Sequence, residues 1–127
     1  MDIKLQTIPH KNQRYETVGD WIVRHGKLRE IYVSDMHNED YALLVAVHEL
    51  LEAAICLKRG VTQKQVDEFD KAFEAVREDG NTEEPGDQPD APYYREHQFA
   101  TKVERMLAQE LGVEWDVYDR TVVGLSQ

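Results

Sequence analysis

A single cysteine, Cys56, in 127 residues leaves no partner for an internal disulfide. No stretch reaches about 18 apolar residues without a charge, so no membrane-spanning helix is expected. The opening MDIKLQTIPHK lacks the apolar run of a signal peptide, which makes the cytoplasm the expected compartment. Positive charge is scarce too. Against 25 Asp and Glu stand 15 Lys and Arg, for a net charge of −10. A phosphate-backbone binder gathers the opposite sign to release counterions, so nucleic acid is disfavoured as a partner. There are no internal repeats.

What is present fits a folded chain. The apolar share of 41% and the charged share of 31% lie near globular norms. A chain of this length buries roughly two thirds of its unfolded surface, enough for one core. The expected organisation is a single domain over 1–127, β-rich over 1–36 and helical over 37–127.

Within the β-rich part, IKLQTI (3–8) alternates as a half-buried strand does and is stopped by Pro9. WIV (21–23) and LREIYV (28–33) flank RHGK, where His25-Gly26 supplies the positive φ of a tight hairpin turn. Asn38, followed by Glu39 and Asp40, predicts a helix start, and Gly60 after Lys58-Arg59 predicts its end. A capping box from Thr62 to Gln65 opens a second helix, with Val66, Phe69, Ala72, Phe73 and Val76 as its apolar stripe as far as Gly80. DGNTEEPGDQPDAP (79–92) is an acidic loop rich in Gly and Pro. A third helix is expected from near Pro92 to Gly112, and the tail is expected to form a short helix packing Trp115, Val117 and Val122. The predicted fold is α+β, an N-terminal antiparallel hairpin or small sheet packed against three main helices.

The chemistry concentrates in VAVHELLEAAIC (45–56). At about 100° per residue, Tyr41, His48, Glu52, Cys56 and Arg59 form one stripe with Glu49 at its flank. Leu43, Leu44, Val47, Leu50, Leu51, Ala54 and Ile55 lie opposite and are expected to be the buried side. A histidine and a carboxylate at i and i+4 can place two ligand atoms on one metal ion. Glu49 stands where H-E-x-x-H peptidases hold the general base, but Glu52 replaces their second histidine.

The third helix offers further ligands. Phe99, Ala100, Val103, Met106, Leu107 and Leu111 are expected to face the core, with Glu96 projecting into that side and His97 and Glu104 at its edge. His48, Glu52, His97 and Glu104 are therefore the candidate ligands of a divalent metal, zinc first, with manganese, iron or magnesium as the other choices. Glu49 is the candidate catalytic base, and Glu96, Cys56 and Tyr41 are candidates for supporting positions. Each has a plainer reading: Glu96 caps its helix, His97 bonds a backbone carbonyl, Glu104 pairs with a basic residue, and Cys56 is a small core residue. Asp87 and Asp90 read as turn formers that could also reach the mouth of the groove. Asp67, Glu68 and Asp70 read as a wet helix face, and His10, His25 and His37 as exposed turn residues.

The motifs TVGDWIV, IYVSDM, VAVHELLEAAIC, VDEFD, PGDQPDAPY, REHQFATKVERMLA and LGVEW resemble a group of uncharacterised proteins encoded by bacteriophages and prophages. That resemblance implies a provenance, with the host cytoplasm as the compartment, and no activity. A strand followed by an H-E-x-x-E helix also resembles the zincin metallopeptidases over about 30 residues, and implies hydrolysis with a metal-activated water. Two other readings stand beside it. Glu49 and Glu52 match the first E-x-x-E of all-α nucleotide pyrophosphohydrolases, which use magnesium, although the matching acidic pair on a facing helix is missing. Alternatively the chain binds a host protein and does no chemistry, with the histidine and glutamates as a structural network.

Overall fold

The computed structural model describes residues 1–126. Three strands, β1 (Lys4–Ile8), β2 (Gly19–Arg24) and β3 (Lys27–Ser34), are followed by four helices, α1 (Glu39–Arg59), α2 (Gln63–Ala75), α3 (Tyr94–Leu111) and α4 (Trp115–Gly124). The class is α+β, as the hydrophobic periodicity implies. In the sheet β3 is central, antiparallel to β2 and parallel to β1. His25 and Gly26 close the β2–β3 hairpin with φ of 55° and 74°, the double positive φ that matches strand twist. β1 is an edge strand whose Lys4, Leu5, Gln6 and Thr7 are all exposed, where the alternation had suggested half-burial.

Helix α1 has the predicted limits because its ends are set by local chemistry. The Asn38 side chain accepts a hydrogen bond from the Tyr41 amide, and Gly60 turns left-handed to return its N–H to the last carbonyls. The Thr62–Gln65 capping box opens α2 as expected, but the helix stops at Ala75 rather than near Gly80. Arg77 folds back onto Glu74 and donates to the Asn81 carbonyl, and Val76 is left 76% exposed with nothing to pack on. Helix α3 begins at Tyr94, two residues later than Pro92 suggests, with no side-chain cap. In α4 the buried residue is Tyr118; Trp115 and Val122 pack at the edge of the core, and Val117 is exposed.

The two long helices depart from the expectation in part: Leu44, Ala100 and Glu96 are buried as expected, but the buried face of each helix is shifted toward its ionisable residues. On α1 the buried residues are Leu44, Val45, Ala46, His48, Glu52, Ala53 and Cys56, whereas Leu43 is 44% exposed and Ala54 is exposed as well. On α3 they are Glu96, His97, Ala100, Glu104 and Ala108, whereas Phe99 and Met106 are 48% and 60% exposed. Each helix turns its ionisable line inward. The groups on one meet partners on the other, and a buried charge is tolerated only when it is paired and hydrogen-bonded. Around this polar seam Trp21, Ile31 and Val33 from the sheet, Val66 from α2 and Tyr118 from α4 complete the core. No helix among the described residues is long and apolar enough to cross a membrane.

Candidate metal centre

Antiparallel packing of α1 on α3 brings three donor atoms to one point. His48 Nε2 lies 3.0 Å from Glu52 Oε2 and 3.1 Å from His97 Nδ1, and His97 Nδ1 lies 2.9 Å from the same glutamate oxygen. His48 and Glu52 share a face because they are four residues apart on one helix. His97 comes from the first turn of α3, its ring edge-on to His48 with centroids 4.7 Å apart. In a triangle of this kind each atom sees the other two about 60° apart, so no placement of protons gives three well-aligned hydrogen bonds. Neighbouring ligands about 2.1 Å from a shared ion stand about 3.0 Å apart in an octahedral shell and about 3.4 Å apart in a tetrahedral one. His48, Glu52 and His97 thus already have the spacing of a metal-binding face, and they form a group that could hold a metal ion.

Two of these three residues are held from behind. The Trp21 indole donates to the second Glu52 oxygen, Oε1, at 3.1 Å. His48 Nδ1 is 2.8 Å from Glu104 Oε1, and the Tyr118 hydroxyl donates to the other Glu104 oxygen at 2.6 Å. Carboxylates on the outer nitrogen of a histidine fix its tautomer and orientation, as in carboxylate–histidine–metal arrangements. Glu104 therefore stands behind His48, away from the point where the donor atoms converge.

His97 is held differently. The 3₁₀ turn Pro85–Asp87 lies on its ring, and a Cβ on Gly86 would come within 3.0 Å of ring atoms, so only glycine fits there. His97 Nε2 faces Glu84 Oε2 at 3.0 Å and Asp87 Oδ1 at 3.3 Å, yet it makes no hydrogen bond of acceptable geometry.

Electrostatics follow from this burial. Burial alone would pull both histidines toward the neutral form. At His48 the hydrogen bonds accepted by Glu104 and Glu52 outweigh it, and at His97 the nearby carboxylates of Asp87, Glu52 and Glu84 do, so both rise above the usual histidine range. Burial would likewise raise Glu52, but the two histidines hold it well below the ordinary carboxylate range. Glu49 goes the other way, pushed well above that range by burial and by the charge of Glu52.

Glu49 leaves the seam on the sheet side. Its carboxyl lies against the backbone of Gly19, where a Cβ would come within 3.0 Å of it. It lines the same cavity of about 500 Å³ as His48, Glu52, His97 and Trp21. The other expected participants are peripheral. Glu96 is engaged with Arg59 at 2.8 Å, Cys56 is fully buried in the core with its thiol pushed up by that burial, and Tyr41 packs at a tilt of 58° against Tyr118 with centroids 5.1 Å apart.

Several residues were misjudged or missed by pattern alone. Asp70 is buried, not on a wet face, and accepts hydrogen bonds from the hydroxyls of Tyr15, at 2.8 Å, and Tyr93. Asp67 pairs with Arg14, which also grips the buried Asp20. His10 is half-buried, bound to Ser34 and Glu16 at 2.8 Å each, while His25 and His37 are exposed as expected. Asp87 is a turn residue that also faces the site, whereas Asp90 is an exposed turn residue. Trp21, Glu84 and Gly86 carried no signal in the sequence, because only tertiary contact gives them a place at the centre. Comparison of the chain with protein-family models, with curated proteins and with solved structures finds no match, so the convergence of His48, Glu52 and His97 has to speak for itself.

Proposed function

We propose that the protein is a divalent-metal-dependent hydrolase in which His48, Glu52 and His97 hold the ion, zinc before manganese or iron, and Glu49 handles the proton of the attacking water. The observation that carries the reading is the triangle of donor atoms with sides of 2.9–3.1 Å, buried, with the outer atoms of His48 and Glu52 engaged by Glu104 and Trp21. Two imidazoles and one carboxylate form a ligand set that suits catalytic zinc and leaves room for water and substrate.

A bound divalent ion supplies a Lewis acid and a water of lowered pKa, and its charge favours ionised Glu49. The chain supplies the rest. Glu49, set against Gly19 on the cavity wall, accepts the proton of the attacking water and returns it to the leaving group. Glu104, braced by Tyr118, keeps His48 Nε2 turned to the centre, and Trp21 keeps one Glu52 oxygen engaged so that the other faces inward. The nucleotide-hydrolase reading finds less support. Glu49 and Glu52 diverge, the first to Gly19 and the second to the histidines, and the two buried acids of α3 are already committed, Glu96 to Arg59 and Glu104 to His48 and Tyr118, while its third, Glu110, is exposed.

Metal analysis of protein purified without chelator is expected to show at least one equivalent of zinc, manganese or iron. Added metal at a hundred times its dissociation constant should stabilise the fold by about 2.7 kcal/mol. His48→Ala and His97→Ala should each abolish that gain. A metal-free protein whose unfolding is indifferent to all of these ions overturns the reading.

A further inference from the structure

We infer that Glu84, Asp87 and the outer nitrogen of His97 form a second cation position at the mouth of the cavity, so that the protein holds two divalent ions on opposite edges of one imidazole. The inference rests on the inner site proposed above, because His97 serves both.

His97 is only 4% exposed, and its Nε2 has no hydrogen-bond partner. A buried ring nitrogen without a partner is costly and calls for an explanation. Two carboxylate oxygens are near, Glu84 Oε2 at 3.0 Å and Asp87 Oδ1 at 3.3 Å, yet neither lies where a ring N–H would reach it. Oxygens close to a ring nitrogen but off its axis are what a shared cation produces. The ion occupies the lone-pair direction, and the other ligands stand about 3 Å from the nitrogen to either side. These atoms form a second group that could hold a metal, separate from the inner one in every member but His97.

The sequence builds this place economically. In EPGD the two acids bracket Pro85 and Gly86, and the bare Gly86 backbone lets the turn lie directly on the ring, so both carboxylates come to its outer edge. Their side chains are 51% and 45% exposed, so an ion can enter from solvent. Two carboxylates and an imidazole suit zinc or manganese. An intervening ring spaces two ions further apart than the roughly 3.5–4 Å of pairs bridged by a single oxygen. With both ions in place the imidazole has no proton on either nitrogen; the Nε2 proton is released to solvent.

The test is metal stoichiometry, by equilibrium dialysis against zinc and by cobalt(II) absorbance titration, on the full chain and on a Glu84→Gln, Asp87→Asn double variant. Because both acids are exposed, the variant should fold, which circular dichroism checks. The expected result is two ions per wild-type chain, the second bound more weakly, and one per variant chain. One ion in both proteins overturns the second position and leaves the inner site standing, even if the variant binds its ion 10-fold to 100-fold more weakly, which would make Glu84 and Asp87 mere outer partners of His97. Two ions in the variant would also overturn it. No ion in either protein overturns the inner site and the outer one with it.

Discussion

Replacing Asp70 by asparagine should remove one component of the pH dependence of stability, the part that is lost as pH rises through neutrality. Asp70 is 8% exposed, and the groups that hydrogen-bond it are the hydroxyls of Tyr15 and Tyr93. Burial raises its pKa from 3.8 to about 7, even though both tyrosines pull in the other direction. The folded state therefore binds the Asp70 proton more tightly than the unfolded chain does. The stability this confers is complete below the unfolded value and is lost as pH rises through about 7. At about 1.36 kcal/mol per pKa unit the whole effect is about 4 kcal/mol, of which about 3 kcal/mol falls between about pH 4.5 and about pH 8. Asparagine keeps the shape and one acceptor but cannot ionise. Urea unfolding of wild type and Asp70→Asn across that range should show the variant gaining on wild type as pH rises, with unchanged m-values. A difference that stays level from acid to alkaline pH would refute the argument, because it would mean that Asp70 is ionised in the fold throughout.

Other consequences can be measured separately. Glu104→Gln leaves the three donor atoms in place but weakens the grip on His48 Nδ1, so zinc affinity by titration calorimetry should fall about 10-fold to 100-fold; unchanged affinity would remove Glu104 from the centre. Gly19→Ala puts a methyl group within 3.0 Å of the Glu49 carboxyl. Because misplacement by about 1 Å can cost about 100-fold in rate, the proposed function requires metal-loaded Gly19→Ala to lose most of any hydrolytic turnover of the wild type at unchanged metal content. Arg59→Met leaves Glu96, whose side chain is 5% exposed, without its partner. It should cost about 1–3 kcal/mol in chemical unfolding, and a second change, Glu96→Leu, should recover most of that loss.

The limits of α1 were legible because caps are local. Asn38 and Gly60 act within one turn of themselves, and the same holds for His25-Gly26 in the hairpin and Thr62–Gln65 at the start of α2. The membership of His48, Glu52 and His97 in one group was legible too, from the i, i+4 spacing and the need for a further ligand. The inward side of each helix was legible only in part: Leu44, Ala100 and Glu96 are buried as expected, whereas several apolar neighbours are not. Periodicity assigns the interior to Leu43, Phe99 and Met106, but those residues are exposed, because the pairings of His48 with Glu104, His97 with Glu52 and Arg59 with Glu96 exist only once the helices have met. Asp70 was misread for the same reason, its partners lying 55 and 23 residues away in sequence. Charge in a helix pattern shows where polarity lies, and only the partner across the interface decides whether that polarity points to water.

Gln63, at the start of α2, closes part of the sheet's open edge. Its side-chain amide accepts from the Val23 N–H at 2.9 Å and donates to the Trp21 carbonyl at 2.6 Å. One residue of a neighbouring parallel strand would make that same pair of bonds with its N–H and C=O, so the glutamine imitates one link of a fourth strand. Extended peptides commonly bind by adding themselves to an open sheet edge, and β2 is the edge beside Glu49 and Glu52. With that edge occupied at residues 21–23, an added strand would first have to displace the Gln63 side chain. Under the proposed hydrolase function, the cavity between Gly19, the 84–87 turn and α4 is then the open way to Glu49.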